Sequence, residues 1–500
     1  MVRFSIANTK YLSKKHQCLS LLNSCCSIKQ LYQIQSQIHL FGLYKDTYLL
    51  SELVYLCSLS LFKNLCHARA LVYHSSNPSP ISWNILIRGY ATTDSPIEAF
   101  WVFRKMREGG AMPNKLTFPF LLKCCAMASA LGEGMQVHAD AVKWGLDSDV
   151  YVGNNLINFY GGCKKILYAK KKFDEMPERS IVSWNSVMTA CVENVWLRDG
   201  IEYFLRMRGC GFEPDETTMV LLLSVCAELG YLTLGNWVHS QLVLRGMVLN
   251  CQLGTALVDM YAKSGALGYA TLVFKRMEER NVWTWSAMIL GLAQHGFAEE
   301  ALAVFSMMND DHDICPNYVT YLGVLCACSH AGLVDEGYQY LHDMECVHGI
   351  KPMMMHYGAM VDILGRAGLL REAYDYIQSI PIEPDPVVWR TLLSACTVHD
   401  VHDHTGIGER VRKRLLQMEP RRGGNLVIVA NMYAEVGMWE EAANVRRVMR
   451  DGGMKKMAGE SCVDLGGSMY RFFAGYDSRP DLMPVYHLLD GLKLHLKMVN

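Results

Sequence analysis

Three tryptophans set the frame for this chain. Trp83, Trp184 and Trp285 stand 101 residues apart. Phe103, Phe204 and Phe305 keep the same step, as do Met106, Met207 and Met308. The pairs Val137-His138 and Val238-His239, Tyr160 with Tyr261, and Phe173 with Phe274 fall into that register too. Self-similarity at a fixed period marks a repeat architecture, in which each copy meets its neighbours in the same way and no central core is needed.

The long period divides. Residues 80–114, 115–149 and 150–180 form one cycle of 35, 35 and 31 residues, and 181–215, 216–250 and 251–281 form the next. A third, slightly longer cycle covers 282–317, 318–353 and 354–385, and Trp389 starts a further unit near 386. Upstream, 47–79 and a degenerate unit near 15–46 complete the array, so 15–79 is expected to hold degenerate N-terminal units. Each unit reads as two helices. In 80–114 the first is expected from Ile81 to about Thr92, with Trp83, Ile85, Leu86, Ile87 and Tyr90 as apolar positions. The second is expected to open on Ser95-Pro96-Ile97-Glu98, a capping box with proline at the first helical position, and to stop at Gly109-Gly110. A lone helical hairpin cannot bury both faces, so the units must stack. The expected fold is all-α: a right-handed superhelical solenoid of helix-turn-helix repeats.

Composition narrows the class further. A hydrophobic content of 51% excludes wholesale disorder. The 48 basic and 49 acidic residues leave a net charge of −1, so any basic surface must be local. The 18 cysteines are too dilute for a disulfide scaffold of 500 residues. No apolar stretch reaches transmembrane length, and no membrane partner is expected. Up to Lys45 there are six basic residues (Arg3, Lys10, Lys14, Lys15, Lys29 and Lys45) and no acidic one before Asp46. With Ser5, Thr9 and Ser13, this composition suits an organellar targeting segment over residues 1–14.

The motifs Ser82-Trp83-Asn84, Ser183-Trp184-Asn185 and Phe173-Asp174-Glu175-Met176-Pro177 resemble those of pentatricopeptide repeats. The alternation of 35, 35 and 31 residues resembles the plant subclass with mixed long and short units. Ala327 to Leu333 and Leu364 to Gly368 resemble its last repeats before a C-terminal extension. Val388-Trp389, Leu415 to Pro420, Asn431-Met432-Tyr433-Ala434 and Val445 to Met449 resemble that extension, expected over 386–452. Lys455-Lys456, Gly459 to Asp464, Tyr470 to Gly475 and Asp477 to Pro480 continue it as a tail over 453–500. The chain departs from the family pattern at Ala458-Gly459, where Pro-Gly is usual, and at Val463 and Arg479, where Trp and His are usual. The expectation is an extension without the deaminase domain that other members carry.

Residues with candidate chemistry fall into recurring packing registers. Cys125, Cys226, Cys328 and Cys396 all hold the eleventh place of their units, which argues for a packing slot and not a nucleophile. His138 and His239 share a register and are read as structural in the same way. Cys396, His399, His402 and His404 fit no usual zinc spacing. A zinc deaminase needs His-x-Glu with Pro-Cys-x-x-Cys, and neither half occurs here; the phosphate-loop motif is also absent. No catalytic residue, metal or cofactor is expected.

The resemblance implies that each repeat contacts one base of a single RNA strand through its fifth and last residues. A terminal Asp only accepts, which suits the ring N–H of uracil or guanine; a terminal Asn donates, which suits the ring nitrogen of cytosine or adenine. Asn at the fifth place favours pyrimidines, and Ser or Thr leaves room for a purine. Asn84 with Asn114 then reads C or U, Asn154 with Ser180 reads C, and Asn185 with Asp215 reads U. Thr255 with Asn281 and Ser286 with Asn317 each read A. Pro119, Val220 and Leu322 hold the fifth place of the intervening long units and cannot pair with a base edge. With the RNA 5′ end at the N-terminus, the expected target is single-stranded organellar RNA containing 5′-Y-n-C-U-n-A-A. The extension implies a site-recognition factor for C-to-U editing, with the edited C six nucleotides beyond the second A. A deaminase-bearing pentatricopeptide repeat protein or accessory editing factors would act in trans, in the mitochondrion or alternatively the chloroplast. Rival readings are a factor that shields a transcript and so affects its stability, splicing or translation, and a protein-binding helical scaffold.

Overall fold

The structure is a computed structural model. It describes residues 2–60, 62–311, 314–399, 404–454, 460–465, 468–473 and Leu488, with 2–10 and both stretches beyond 459 given as backbone alone. The chain divides into two bodies, 1–225 and 226–500. In the first, helical hairpins follow one another as Thr47–Leu59 with Leu65–Tyr73, Pro80–Tyr90 with Glu98–Glu108, Thr117–Met127 with Leu131–Lys143, Val150–Gly162 with Ile166–Glu175, and Ile181–Glu193 with Leu197–Gly209. In the second they are Cys251–Lys263 with Leu267–Arg276, Val282–Gln294 with Ala298–Asp310, Tyr318–Ala331 with Val334–Cys346, and Met354–Arg366 with Leu370–Ser379. Pro386–His399 with Ile407–Met418 and Gly423–Glu435 with Trp439–Asp451 continue that body. This is the helical-repeat solenoid that the period implies.

The periodic residues are the core. Trp83, Trp184 and Trp285 are buried, and so are Phe103, Phe204 and Phe305 with Met106, Met207 and Met308. Burying each of these side chains contributes on the order of 2–3 kcal/mol. Within each body first helices pack on their own second helix and on the next first helix, as Val150–Gly162 does on Ile166–Glu175 and Ile181–Glu193, and Val282–Gln294 does on Ala298–Asp310 and Tyr318–Ala331. Small residues set how close those first helices lie. A side chain at Gly161 would begin 2.7 Å from the Ala190 methyl, and one at Gly291 would begin 2.4 Å from the Ala262 methyl. The closers of the short units have a mechanical role: Arg179 donates to the Phe173 carbonyl at 3.1 Å, and Arg280 donates to that of Phe274 at 2.8 Å, each guanidinium lying over the same ring.

Several expectations meet a different outcome. The helix expected to open on Ser95 begins at Glu98, and its cap residue Ile97 makes no side-chain bond. The preceding turn is closed by the backbone instead, Glu98 to Ser95 at 3.2 Å and Ala99 to Pro96 at 3.1 Å. Its far end stops at Gly109-Gly110 as expected, with Gly110 at φ +75° and Ala111 reaching back to the Met106 carbonyl at 3.1 Å. The helix Val2–Asn23 covers most of the expected targeting segment and continues beyond residue 14. Antiparallel strands Glu460–Leu465 and Ser468–Phe473 add a hairpin to the helical fold. Lys455 to Gly459 and Ala474 to Pro480 lie outside the described residues, as does His402.

The packing readings of the side chains hold. Cys125, Cys226, Cys328 and Cys396 are fully covered, and burial pushes the Cys125 and Cys328 thiols up to about 12. His138 and His239 each bond a tyrosine of the next unit, Tyr160 at 2.8 Å and Tyr261 at 2.9 Å. Burial holds both imidazoles below their ordinary pKa. Cys396 belongs to an apolar cluster with Trp389, Leu392 and Leu393, which explains it without a ligand.

Candidate nucleic-acid interface

The last residue of a repeat starts the next helix. The backbone N–H groups at a helix start have no partner inside the helix, so a side-chain oxygen just before it is stabilising. Asp215 Oδ1 accepts from Thr218 N at 2.9 Å, Asn281 Oδ1 from Thr284 N at 3.0 Å, and Asn317 Oδ1 from Thr320 N at 2.9 Å. Ser180 accepts from Ser183 N at 3.3 Å. Asn114 stands three residues before its helix, Thr117–Met127, and accepts from Leu116 N at 2.9 Å in the turn that leads into it. The side chain three residues on returns a bond to the capping backbone. Thr117, Thr218, Thr284 and Thr320 each take the N–H of Asn114, Asp215, Asn281 or Asn317.

The fifth residue joins this cap from the preceding helix. Asn84 Nδ2 donates to Asn114 Oδ1 at 3.1 Å, and its own Oδ1 accepts the Thr117 hydroxyl at 2.7 Å. One period later, Asn185 Nδ2 donates to Asp215 Oδ1 at 3.0 Å and accepts the Thr218 hydroxyl at 2.7 Å. Ser286 bonds Asn317 Oδ1 at 3.1 Å and lies 2.7 Å from the Thr320 hydroxyl. Thr255 reaches Asn281 only through Thr284, whose hydroxyl is 2.6 Å away and also donates to Asn281 at 3.1 Å. Asn154 and Ser180 share no bond: Ser180 pairs with Ser183, and Asn154 Oδ1 is buried without a partner. Four of the five expected pairs are thus joined, three directly and one through a neighbour.

Their placement differs from a row of free polar groups. Asn84, Asn154, Asn185 and Ser286 are buried, because the fifth place faces the start of the next unit's first helix and is covered by it. The surface that remains belongs mostly to the last residues: Asn114, Ser180, Asp215 and Asn317 are half-buried and Asn281 is exposed. Capping consumes one oxygen of each, and what is left depends on the residue. An asparagine keeps Nδ2, a donor, although that of Asn317 is itself buried without a partner; an aspartate keeps Oδ2, an acceptor. Burial alone would raise the Asp215 carboxyl. The bonds from the Thr218 N–H, the Asn185 amide and the Thr218 hydroxyl outweigh it and hold the group below the usual carboxylate range, so it stays ionised.

Two sets of residues beside the pairs escaped the sequence reading. The third-place hydroxyls are one. Their signal was a recurring box, Asn114-x-x-Thr117, Asp215-x-x-Thr218, Asn281-x-x-Thr284 and Asn317-x-x-Thr320. Ser51, Ser79 and Ser82 repeat it upstream, with Ser51 3.2 Å from Ser79 and 2.9 Å from Ser82. The other set is apolar. Ile81, Tyr151, Val182 and Trp283 hold the second place of their units and are exposed. Each lies one helical turn before a fifth residue, on the same side of the helix. Exposed large apolar groups at this spacing suit the flat faces of bases, which stack without regard to sequence.

Comparison with known proteins matches this organisation. The family model described as PPR repeat matches residues 182–212, 255–282, 283–312, 319–347 and 355–381, that described as PPR repeat family matches 78–127, and that described as E motif matches 402–464. The pentatricopeptide repeat-containing protein At2g36730 of Arabidopsis thaliana is 61% identical over 486 residues, covering 97% of each chain. At4g21065 is 40% identical, covering 96% of this chain and 82% of its own length. At1g59720, named chloroplastic/mitochondrial, is 38% identical with 96% and 77% covered. Among solved structures, maize PPR10 aligns over 88% of this chain and 72% of its own, at 16% identity and a TM-score of 0.45. PPR10 in complex with an 18-nt psaJ RNA element aligns over 85% and 67%, at 18% identity and 0.46. The chain therefore belongs to the pentatricopeptide repeat family and carries an E motif. Its repeats form a helical scaffold.

Proposed function

We propose that this chain binds one strand of organellar RNA with base selectivity, and acts as the site-recognition factor for a C-to-U editing event. The observation that carries the reading is the recurring cap. In unit 181–215, the atom left over after helix capping is the Asp215 Oδ2 acceptor, next to the Asn185 amide. In units ending on Asn114 and Asn281 it is an amide donor. An acceptor meets the uracil N3–H, and a donor meets the ring nitrogen of cytosine or adenine. Exposed apolar side chains one turn away would hold the base planes.

The assigned order is 5′-Y-n-C-U-n-A-A, read from the N-terminal units onward. The E motif at 402–464 supports recruitment of a deaminase in trans. The compartment is the mitochondrion, with the chloroplast as the alternative, in keeping with relatives named for one or both organelles. Gel shifts with this oligonucleotide and with one carrying AG in place of CU test the binding. Preference for the first is expected, and equal affinity defeats the assignment. Sequencing of organellar transcripts from a knockout plant tests the editing role: one C left unconverted downstream of a matching site is expected, and a full set of edited sites removes it.

A further inference from the structure

The most deeply buried member of each cap has no place in the base-reading scheme. Thr117, Thr218, Thr284 and Thr320 have no exposed surface. A buried hydroxyl is costly unless bonded, so packing alone would favour valine, which has the same shape. These hydroxyls are spent on the pair in front of them. Thr218 Oγ1 lies 2.7 Å from Asn185 Oδ1 and 2.8 Å from Asp215 Oδ1, and Thr117 Oγ1 lies 2.7 Å from Asn84 Oδ1.

An asparagine can present either its oxygen or its nitrogen by a half-turn of the terminal torsion. Where the threonine engages Oδ1, the amide is held with Nδ2 against the cap oxygen and one N–H to spare. We infer that, where the fifth residue is asparagine, the third residue of the following unit is a positioning residue, which selects the atom that the fifth residue offers to a base. This rests on the proposal that the pairs meet nucleobases, and it adds a specificity position belonging to the next repeat.

Unit 150–180 supplies the internal contrast. The unit after it carries Ser183, whose hydroxyl turns to Ser180: it takes the Ser180 N–H at 3.1 Å and lies 3.3 Å from Ser180 Oγ. Asn154 is then 5% exposed with Oδ1 buried and unpartnered. Here the amide oxygen is closed off from solvent with nothing holding it, so the next unit does not fix which way the amide of the fifth residue is turned. At Asn84 and Asn185 the same atom is already engaged.

The test uses the full chain and fluorescence anisotropy with a labelled 5′-Y-n-C-U-n-A-A oligonucleotide, against the same strand with U replaced by C. Thr218→Val removes the hydroxyl at nearly constant volume. The U-over-C preference is expected to fall by about threefold to tenfold, the worth of one hydrogen bond, with the preference for the A-A step kept. Thr218→Ser is expected to restore it. Equal weakening on both strands, with the preference intact, would mean packing alone and overturn the inference. Ser183→Thr is the converse variant, at a seam that already folds with a smaller side chain. By engaging Asn154 Oδ1 and fixing the amide it is expected to change the base preference at that unit by a similar factor, and an unchanged preference would equally overturn it. Wild-type protein that bound neither strand would remove the RNA reading itself, which separates the two failures.

Discussion

Asn185 stands at the fifth place of unit 181–215, and Arg390 stands at the fifth place of the unit that begins at 386. Both reach the start of the following unit, yet the groups they meet there differ in charge. Asn185 meets Asp215 and Thr218, and the far oxygen of Asp215 is left over. Arg390 donates to Glu419 at 2.6 Å, and the same carboxylate accepts from Asn425 at 2.8 Å and Arg422 at 2.8 Å. Asn425 is the third residue of its helix and fully covered, as Thr218 is. The bonds from Asn425, Arg422 and Arg390 hold the Glu419 carboxyl below its ordinary range. One slot in the repeat thus serves two ends. With a neutral amide and a single leftover acceptor it can take a ligand, and with a charged pair and three donors on one carboxylate it is a clip between repeats.

The largest expected effect breaks the first half of this contrast. Asp215→Asn keeps the oxygen that caps the next helix and turns the leftover acceptor into a donor. The preference of that unit should move from U to C. A well-placed pair discriminates by about 1–3 kcal/mol. A reversal therefore shifts the U-to-C affinity ratio by on the order of a hundredfold, with little change in melting temperature. Competition binding with the two strands measures it. A ratio that stays put would mean that Asp215 is a cap and nothing more.

A smaller effect is expected at the clip. Arg390→Ala leaves Glu419 with Asn425 and Arg422, in a site about a fifth exposed. The expected loss is about 1 kcal/mol of stability, read as a lower urea midpoint, with base preference unchanged. The Glu419 carboxyl is depressed in the folded chain. Its contribution is therefore present above the unfolded carboxylate range and fades as pH falls through the folded value. The gap between wild type and Arg390→Ala should accordingly narrow below about pH 4. A change in base preference would make Arg390 a reader and erase the distinction between the regions.

Much of this was legible in the residues because repetition amplifies a weak signal. One tryptophan says little, while Trp83, Trp184 and Trp285 in register announce the core, and four cysteines at the eleventh place announce a packing slot. The fifth and last residues could be picked out the same way. Their burial could not, because it depends on the next unit folding back over them, a contact between residues about 30 positions apart such as Asn84 and Asn114. The Ser95 box failed for a related reason. A capping motif states what a helix start would accept, and the chain met the need with backbone bonds to Ser95 and Pro96. Asn425 was invisible because asparagine stands where the reading repeats place threonine.

The smallest expected effect is also the one that bears on how RNA would be held at all. A net charge of −1 is unusual for a protein that grips phosphates. The first helices of the reading units carry few charges: Arg88 in one, Glu193 in another, none in Val150–Gly162 or Val282–Gln294. In Cys251–Lys263 the cation is spent, Lys263 lying 3.0 Å from Asp259 and 2.8 Å from Glu228. Affinity would then come from stacking on side chains such as Ile81 and Trp283 and from the cap groups, with little counterion release. The logarithm of affinity against the logarithm of salt should have a slope shallower than about −3 between roughly 50 and 200 mM. Arg390→Ala should leave that slope unchanged, since its charge is bound to Glu419. A slope near about −6 would put the binding on phosphates and on basic residues outside the caps. The seams that differ so clearly between the two regions would then have no bearing on affinity.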